Sequence, residues 1–403
     1  MTNKFIPIIL GTDINAYGVA RSFHEAYKVK SIALGMKHLP FTANSDIVEV
    51  RTFNNFDENE VFKREMEKFG KEMKGHTLLL ISCSDGYTSL LTENAEMLSK
   101  YFKFNYISKD LQKKLENKKD FYEICEEYNL NYPNTYIIDR ENKDSFNIPF
   151  DYPVAVKAND SIEFLHLKFP GKKKAYKANN INELTRIIQD VYAAGYTGEM
   201  IVQDFIPGDH STMGVLNAYV NSKGEVKMMC FGKCLLDECL PEGIGNYNAL
   251  VTENNEELYA MVKNFLEKIN YRGFANFDFK YDRRDGKYKV FEINIRQGRS
   301  SYYMTAGGCN FVTFLVDDLI DNVDKPLYKH VEERLWLYAD PFVLKNYCNK
   351  EDLPRVKELL KKGFGFTMWY EEDKNFKRFL NYWRRRLATI KYYPKFQPER
   401  EEL

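Results

Sequence analysis

The chain has 403 residues and carries 58 Lys and Arg against 58 Asp and Glu, a formal net charge of zero. A dedicated nucleic-acid binder shows a basic excess and a disordered chain an imbalance, so both classes are set aside. Apolar residues make up 44% and aromatics 15%, material enough for packed cores, and the length suits two to four domains of roughly 100–200 residues.

Met1-Thr2-Asn3-Lys4 runs straight into Phe5-Ile6-Pro7-Ile8-Ile9-Leu10, an apolar run too short for a secretory signal. No segment approaches the roughly 18 uninterrupted apolar residues of a membrane span. Seven cysteines at irregular spacing fit reduced thiols, so a cytoplasmic location is expected. Cys230, Cys234 and Cys239 lie near one another in sequence, but no further Cys or His stands at zinc-ligand spacing. A place in a core is expected for them.

Residues 5–10, 31–34 and 76–82 read as strands, and 15–26, 60–74 and 89–100 as helices. This alternation predicts a parallel α/β domain over 1–109. Ligands in such sheets sit beyond the C-terminal ends of the strands. Those ends are Gly11-Thr12-Asp13-Ile14-Asn15 and Ser82-Cys83-Ser84-Asp85-Gly86, which read equally as turns and helix caps. From Asp110 the texture changes. A charged amphipathic helix is expected over 111–128, strands at 136–138, 154–157 and 200–203, and a helix over 181–192. Strands at 214–220 and 226–232 and a helix over 256–270 lead to two strands, 275–281 and 288–294. Asp285-Gly286 between those two is a hairpin signal.

That hairpin carries the chemistry. Side chains alternate along a strand, so Asn276, Asp278 and Lys280 share one face and Glu292, Asn294 and Arg296 share another. Paired, they bring Asp278, Glu292 and Asn294 together as oxygen ligands of the kind Mg²⁺ takes. The bland alternative is the polar face of a solvated sheet. Two carboxylates gathered on one face repel without a cation, which favours the metal.

Further ordered segments accompany it: Asn117-Lys118-Lys119-Asp120-Phe121 with Tyr132-Pro133-Asn134-Thr135; Pro153-Val154-Ala155-Val156-Lys157; Ile201-Val202-Gln203-Asp204-Phe205-Ile206-Pro207-Gly208-Asp209; and Phe291-Glu292-Ile293-Asn294-Ile295-Arg296. In this order, from about Asp110 to Val316, the chain resembles the ATP-grasp ligases. The resemblance implies a mixed α/β and α+β protein: the N-terminal parallel domain, a two-lobed ATP-grasp module over 110–330 with its lid lobe at about 135–207, and a C-terminal extension over 331–403. It implies ATP as cosubstrate, with Lys118 and Lys157 on its phosphates. The hinge residues Gln203, Asp204, Phe205 and Ile206 lie along the adenine, with Asp209 or His210 at the ribose. Gln203-Asp204 stands where relatives commonly carry a glutamate. The phosphate-covering loop departs too: Ala158-Asn159-Asp160-Ser161-Ile162-Glu163-Phe164 holds no glycine before Gly171, leaving Ser161 as its candidate, with the Lys172-Lys173-Lys174 run as a source of charge or a solvated loop. Lys233 is a further candidate for the triphosphate.

Asp278, Glu292 and Asn294 are then the expected ligands of two Mg²⁺ ions, with Mn²⁺ as a substitute. Arg296, helped by Asn276, would bind the substrate carboxylate or steady an oxyanion; Arg299 is a further candidate. Within the family the chain looks most similar to carboxylate–amine ligases of the D-aspartate ligase type. This implies an amino-acid carboxylate as acyl donor and an amine acceptor on a peptidoglycan precursor. Other donors and acceptors, polyamines among them, and a nucleotide-binding protein without ligase activity are the competing readings. The loop 240–246 would border the substrate cleft or simply turn.

The segment 374–395 holds eight Lys and Arg and no Asp or Glu. Phe376, Phe379, Leu380, Trp383, Leu387 and Ile390 recur at helical spacing within it, predicting a basic amphipathic helix. Docking onto the body of the protein is the foremost reading. Peripheral contact with the inner face of the membrane and nucleic-acid contact are the others, overall neutrality counting against the last. A homodimer is among the expected assemblies.

Overall fold

A computed structural model describes residues 4–173 and 175–401. Its first unit is a five-stranded parallel sheet in the order β3-β2-β1-β4-β5. The strands are β1 (Ile6–Leu10), β2 (Ser31–Gly35), β3 (Val48–Thr52), β4 (Leu78–Ser82) and β5 (Phe102–Lys103). β2 and β4 are buried along their whole length, as strands covered on both faces must be. Asp13 caps the helix Ile14–Tyr27, its carboxylate accepting from the Ala16 N–H at 3.1 Å, and Ser84 caps Asp85–Glu93 in the same way. The capping reading of both strand-end segments therefore holds, and it orients Asp85 at the start of its helix.

The helix expected over 111–128 is two helices, Lys109–Glu116 and Lys118–Glu127. Asn117 between them is extended, and its side-chain oxygen accepts from the Asp120 N–H at 3.1 Å. Asparagine competes with the helical backbone and favours the cap. The break sets Lys118 at the first position of the second helix.

A four-stranded antiparallel sheet, β6-β9-β7-β8, forms one lobe from β6 (Thr135–Ile138), β7 (Val154–Ala158), β8 (Tyr176–Ala178) and β9 (Met200–Asp204). The other lobe is an eight-stranded sheet. Its main path is β14-β13-β10-β11-β12-β16-β17, with β15 (Tyr328–Lys329) pairing beside β11. These are β10 (Met213–Val220), β11 (Val226–Asp237), β12 (Tyr247–Glu253), β13 (Gly273–Asp282), β14 (Lys287–Asn294), β16 (Leu335–Leu337) and β17 (Phe364–Phe366). Phe277, Phe279 and Leu216 face a core shared with the helix Glu256–Lys268. Val215, Tyr247 and Tyr303 face another shared with the helix Ile14–Tyr27. Gly273, at φ +84°, is where the two units press together: a Cβ there would lie 2.2 Å from the Asn105 carbonyl oxygen. Cys230 and Cys234 pack in one core and Cys239 in another, as expected of core cysteines.

The strands β16 and β17 carry the central sheet beyond residue 330. The C-terminal helix runs over Phe376–Glu401. It docks through a different face from the one its apolar spacing marks. Arg378, Tyr382, Thr389 and Tyr393 are buried, while Phe376, Phe379, Leu380, Trp383 and Leu387 are exposed and Ile390 is half-buried. Buried polar anchors decide this rotation. Asp373 accepts from the Tyr17 hydroxyl at 2.7 Å, the Ser45 hydroxyl at 2.8 Å and the Asp46 N–H at 2.6 Å, and pairs with Arg378 at 3.0 Å. Arg378 also lies 4.1 Å from the Tyr17 ring centroid. Among the described residues no helix is long and apolar enough to cross a membrane.

Arg378→Ala leaves the buried Asp373 carboxylate without its cation, and is expected to cost about 3–5 kcal/mol. A thermal melt reads this as a lowered midpoint; an unchanged midpoint would refute the anchoring role.

Candidate functional site

β13 and β14 pair antiparallel with Asn276 opposite Asn294 and Asp278 opposite Glu292. The register then slips, so that Phe279 faces Val290 and Phe291 becomes the extra residue of a bulge. Val290 and Ile293, three apart, therefore both reach the core beneath the sheet, which simple alternation forbids. Bulges re-aim side chains beside sites. This one keeps Glu292 on the open face, against Asp278, while the strand on either side stays anchored.

The Asp278 carboxylate accepts from the Tyr247 hydroxyl at 2.7 Å and from the Asn294 amide at 3.3 Å. The same Asn294 amide donates to the Asn276 side-chain oxygen at 3.0 Å, and the Asn276 amide nitrogen is buried with no partner among the described residues. Burial, and then the neighbouring Glu292 charge, push the Asp278 carboxyl above the usual carboxylate range. A cation between Asp278 and Glu292 removes that penalty. Two carboxylates and an amide oxygen suit Mg²⁺, which completes its shell with water and phosphate. Among the described residues no three His, Cys, Asp or Glu side chains gather as metal ligands, so a cation here would take two carboxylates and the Asn294 amide oxygen from the protein.

Asp278, Glu292, Asn294, Asn276 and Arg296 line one cavity of about 240 Å³. Arg296 follows the end of β14, where the Gln297 amide donates to the Ser82 carbonyl at 2.8 Å and ties the segment to the end of β4. Its guanidinium makes two contacts of 2.8 Å with Asp85. Gly298 packs against Asn276, where a Cβ would stand 2.8 Å from the amide nitrogen. Arg299 also lines the cavity, its guanidinium 5.5 Å from the Tyr338 ring centroid. The loop 240–246 contributes Ile244, Gly245 and Asn246. Walls thus come from the starts of two helices of the N-terminal unit (Ile14 and Asp85), the central hairpin, the loop 240–246 and the β16 segment. Asp85 lies in a strand end that the sequence marks as ligand-side, whereas nothing local marks Tyr247 and Tyr338; all three meet the hairpin only in three dimensions.

The nucleotide-side candidates separate. The Lys157 ammonium donates to the Tyr122 hydroxyl at 2.9 Å, and that hydroxyl donates to the Phe291 carbonyl at 2.7 Å, so Lys157 is held over the bulge. The Lys118 ammonium donates to the Asn159 carbonyl at 3.2 Å, just past the end of β7. Gln203 is buried, its amide donating to the Thr135 hydroxyl at 2.9 Å. The Asp204 carboxylate accepts a pair of bonds from Arg284 at 2.9 and 2.7 Å, and its N–H donates to the Asn134 carbonyl at 2.9 Å. Ile206 is buried and Phe205 half-buried beside it. Lys177 and Lys280 lie 4.9 and 5.4 Å from the Phe205 ring centroid. Burial lowers the Lys280 ammonium to about 8. Lys280 was legible, two residues beyond Asp278 on the same face; Lys177 was not.

Asp209 caps a short helical turn, accepting from the Ser211 N–H at 2.9 Å and from the Asn349 amide at 2.8 Å. Lys233 does not join the group. It pairs with Gly214, one residue out of phase with the Val215–Asp278 pair, so it emerges on the opposite face of the sheet and meets Asp352 at 3.0 Å. The segment after β7 is a short helix, Ser161–His166, in place of the expected loop; the Ser161 side chain lies outside the described residues, as does Lys174. The Lys172 ammonium turns back to the Leu167 carbonyl at 2.8 Å.

No family model matches the chain. It shares its fold with an L-amino acid ligase from Bacillus licheniformis (TM-score 0.56, 14% identity, covering 79% of this chain and 75% of that one). It also matches an N5-carboxyaminoimidazole synthetase from Staphylococcus aureus complexed with ADP (TM-score 0.59, 12% identity, 82% of each chain). A third match is the biotin carboxylase domain of the Hydrogenobacter thermophilus 2-oxoglutarate carboxylase in complex with MgADP (TM-score 0.59, 13% identity, 80% of this chain and 71% of that one). A D-aspartate ligase from Enterococcus faecium (strain Aus0004) is 44% identical over 393 residues, covering 94% of this chain and 93% of that protein. The chain has the ATP-grasp fold and belongs to the D-aspartate ligase family.

Proposed function

We propose that this protein is an ATP- and Mg²⁺-dependent carboxylate–amine ligase that activates D-aspartate and joins it to an amine of a peptidoglycan precursor at the cytoplasmic side of the cell. The observation that carries the reading is the Asp278–Glu292 pair facing the same cavity as Arg296.

A carboxylate at neutral pH is a poor acyl donor. In this reading its oxygen attacks the γ-phosphorus, the bond from that phosphorus to the bridging oxygen breaks, and ADP leaves. The amine nitrogen then bonds to the carbonyl carbon of the acyl phosphate, the acyl C–O bond breaks, and phosphate departs with the proton the nitrogen gives up, leaving the amide. Catalysis of the first step is mostly positioning and charge neutralisation. Mg²⁺, as two ions replaceable by Mn²⁺, supplies neutralisation of the phosphate oxygens when held by Asp278, Glu292 and Asn294. Lys118 and Lys157 act as point charges toward the triphosphate, with Lys177 and Lys280 added from the Phe205 side. The Asp204 and Ile206 main chain borders the adenine. Arg296 exchanges Asp85 for the donor carboxylate and steadies the oxyanion, and the unpartnered Asn276 amide is a second donor into the same space. Arg299 suits the other carboxylate of a dicarboxylic amino acid. That second charge is what a ligase selecting aspartate must read.

Glu292→Gln is expected to lower amino-acid-dependent ADP release by at least about 100-fold, comparable with the loss of a transition-state charge contact, while the far-UV circular dichroism stays unchanged. Full activity in that variant would overturn the metal assignment.

Arg299→Leu is expected to raise the KM for D-aspartate by about 10–100-fold, the range for losing a hydrogen bond to a charged group. Turnover of D-alanine, if the enzyme accepts it, stays as it was. An ADP-release screen over D- and L-amino acids with amine acceptors tests the donor itself; turnover with L-amino acids alone would refute D-aspartate.

A further inference from the structure

We propose that the outward face of the C-terminal helix is a docking surface for an anionic lipid bilayer. The helix Phe376–Glu401 is fastened to the body of the protein by one face and leaves a second, apolar face uncovered. Phe376, Leu380, Trp383 and Leu387 follow one another at spacings of four, three and four residues, so they form a single stripe. Phe379 lies beside it. Exposure along the stripe runs from 39% at Trp383 to 75% at Phe376. Apolar side chains scattered singly over a surface need no explanation, but a contiguous row marks an interaction surface.

The basic run divides along the same helix. Arg378, Arg385 and Arg386 turn inward: Arg378 to Asp373, Arg386 to Asp340, and Arg385 to within 3.8 Å of the Phe41 ring centroid. Lys377, Arg384 and Lys391, spaced by seven residues, are exposed along one flank of the apolar stripe. Among the described residues none of these three pairs with a carboxylate. The run 374–395 contains no Asp or Glu to screen them.

An apolar stripe with a tryptophan in it and a row of cations beside it is the pattern of a helix lying in the bilayer interface. Anionic headgroups neutralise the lysines and the arginine while the stripe enters the acyl boundary. A second copy of the chain answers only the stripe, because the helix segment 374–395 it would present holds no Asp or Glu to meet the cations. A nucleic acid answers the cations but leaves Leu380 and Leu387 in water. The surface is independent of the reaction, so vesicle binding and ligase activity are separable.

The test is co-sedimentation of the full chain with phosphatidylcholine vesicles, with and without about 30% phosphatidylglycerol, at low and high salt. Binding to the anionic vesicles is expected to exceed binding to the neutral ones by at least about tenfold and to weaken with salt, as attraction of several Lys and Arg to a charged leaflet requires. Trp383→Ser with Leu387→Ser, and separately Lys377→Glu with Arg384→Glu, are each expected to abolish it with ADP release unchanged. Absence of anionic-vesicle binding overturns the proposal. So does a dimer, seen by light scattering, that the same substitutions dissolve in a chain that ignores vesicles. Binding unaffected by either pair of substitutions overturns it equally.

Discussion

Asp278 and Glu292 stand directly opposite each other on neighbouring strands, and most of the structure around them serves to keep them there. Like charges across a strand pair are destabilising, so the pairing persists because the backbone carrying it cannot yield. Phe277 and Phe279 on one strand and Val290 and Ile293 on the other sink into a single core. The bulge at Phe291 lets both Val290 and Ile293 be buried without turning Glu292 away. Tyr247, from the neighbouring core, fixes one Asp278 oxygen, and Asn294 approaches the other. The two carboxylates are thus held together in spite of their repulsion.

The same hairpin organises the rest of the molecule. Its far end is tied to the N-terminal sheet through Gln297 and Ser82, which brings Asp85 against Arg296. Its bulge carries the carbonyl that holds Tyr122, and Tyr122 holds Lys157. The lobe that carries Lys157 is thus referenced to the strand that carries Glu292. Tyr338 closes the cavity from the segment after β16, so the C-terminal region contributes to the substrate space as well as to the outer surface.

Legibility in the sequence followed how local each signal is. Alternation along one strand is local, so the shared face of Asn276 and Asp278 could be read, and cross-strand pairing followed from the Asp285-Gly286 turn. Parity across a sheet is not local. Lys233 is an attractive phosphate ligand until its pairing with Gly214 turns it to the far face. The hinge shows the same limit. The Asp204 carboxylate reads as open from its own segment, but the chain eighty residues later supplies Arg284 to occupy it. Asn117 hid a helix break inside an unbroken amphipathic pattern, because hydrophobic spacing continues through a cap that the side chain itself dictates.

By itself the sequence determined the order of the elements, the parallel α/β opening, the ATP-grasp motifs in their order and the two carboxylates that face each other across the hairpin. These depend on residue type and on spacing within a few positions, where backbone geometry leaves little choice. Only the tertiary structure decided which residues far apart in the chain complete the site, among them Asp85, Tyr247 and Tyr338. It also decided which face of the C-terminal helix meets the protein. There the apolar spacing pointed one way, and the buried Asp373–Arg378 pair with Tyr17 and Tyr393 turned the helix another. A buried charge has to meet its partner at one distance and in one direction, whereas an apolar stripe can be satisfied by any apolar neighbour. The directional contact therefore set the rotation and left the stripe facing outward.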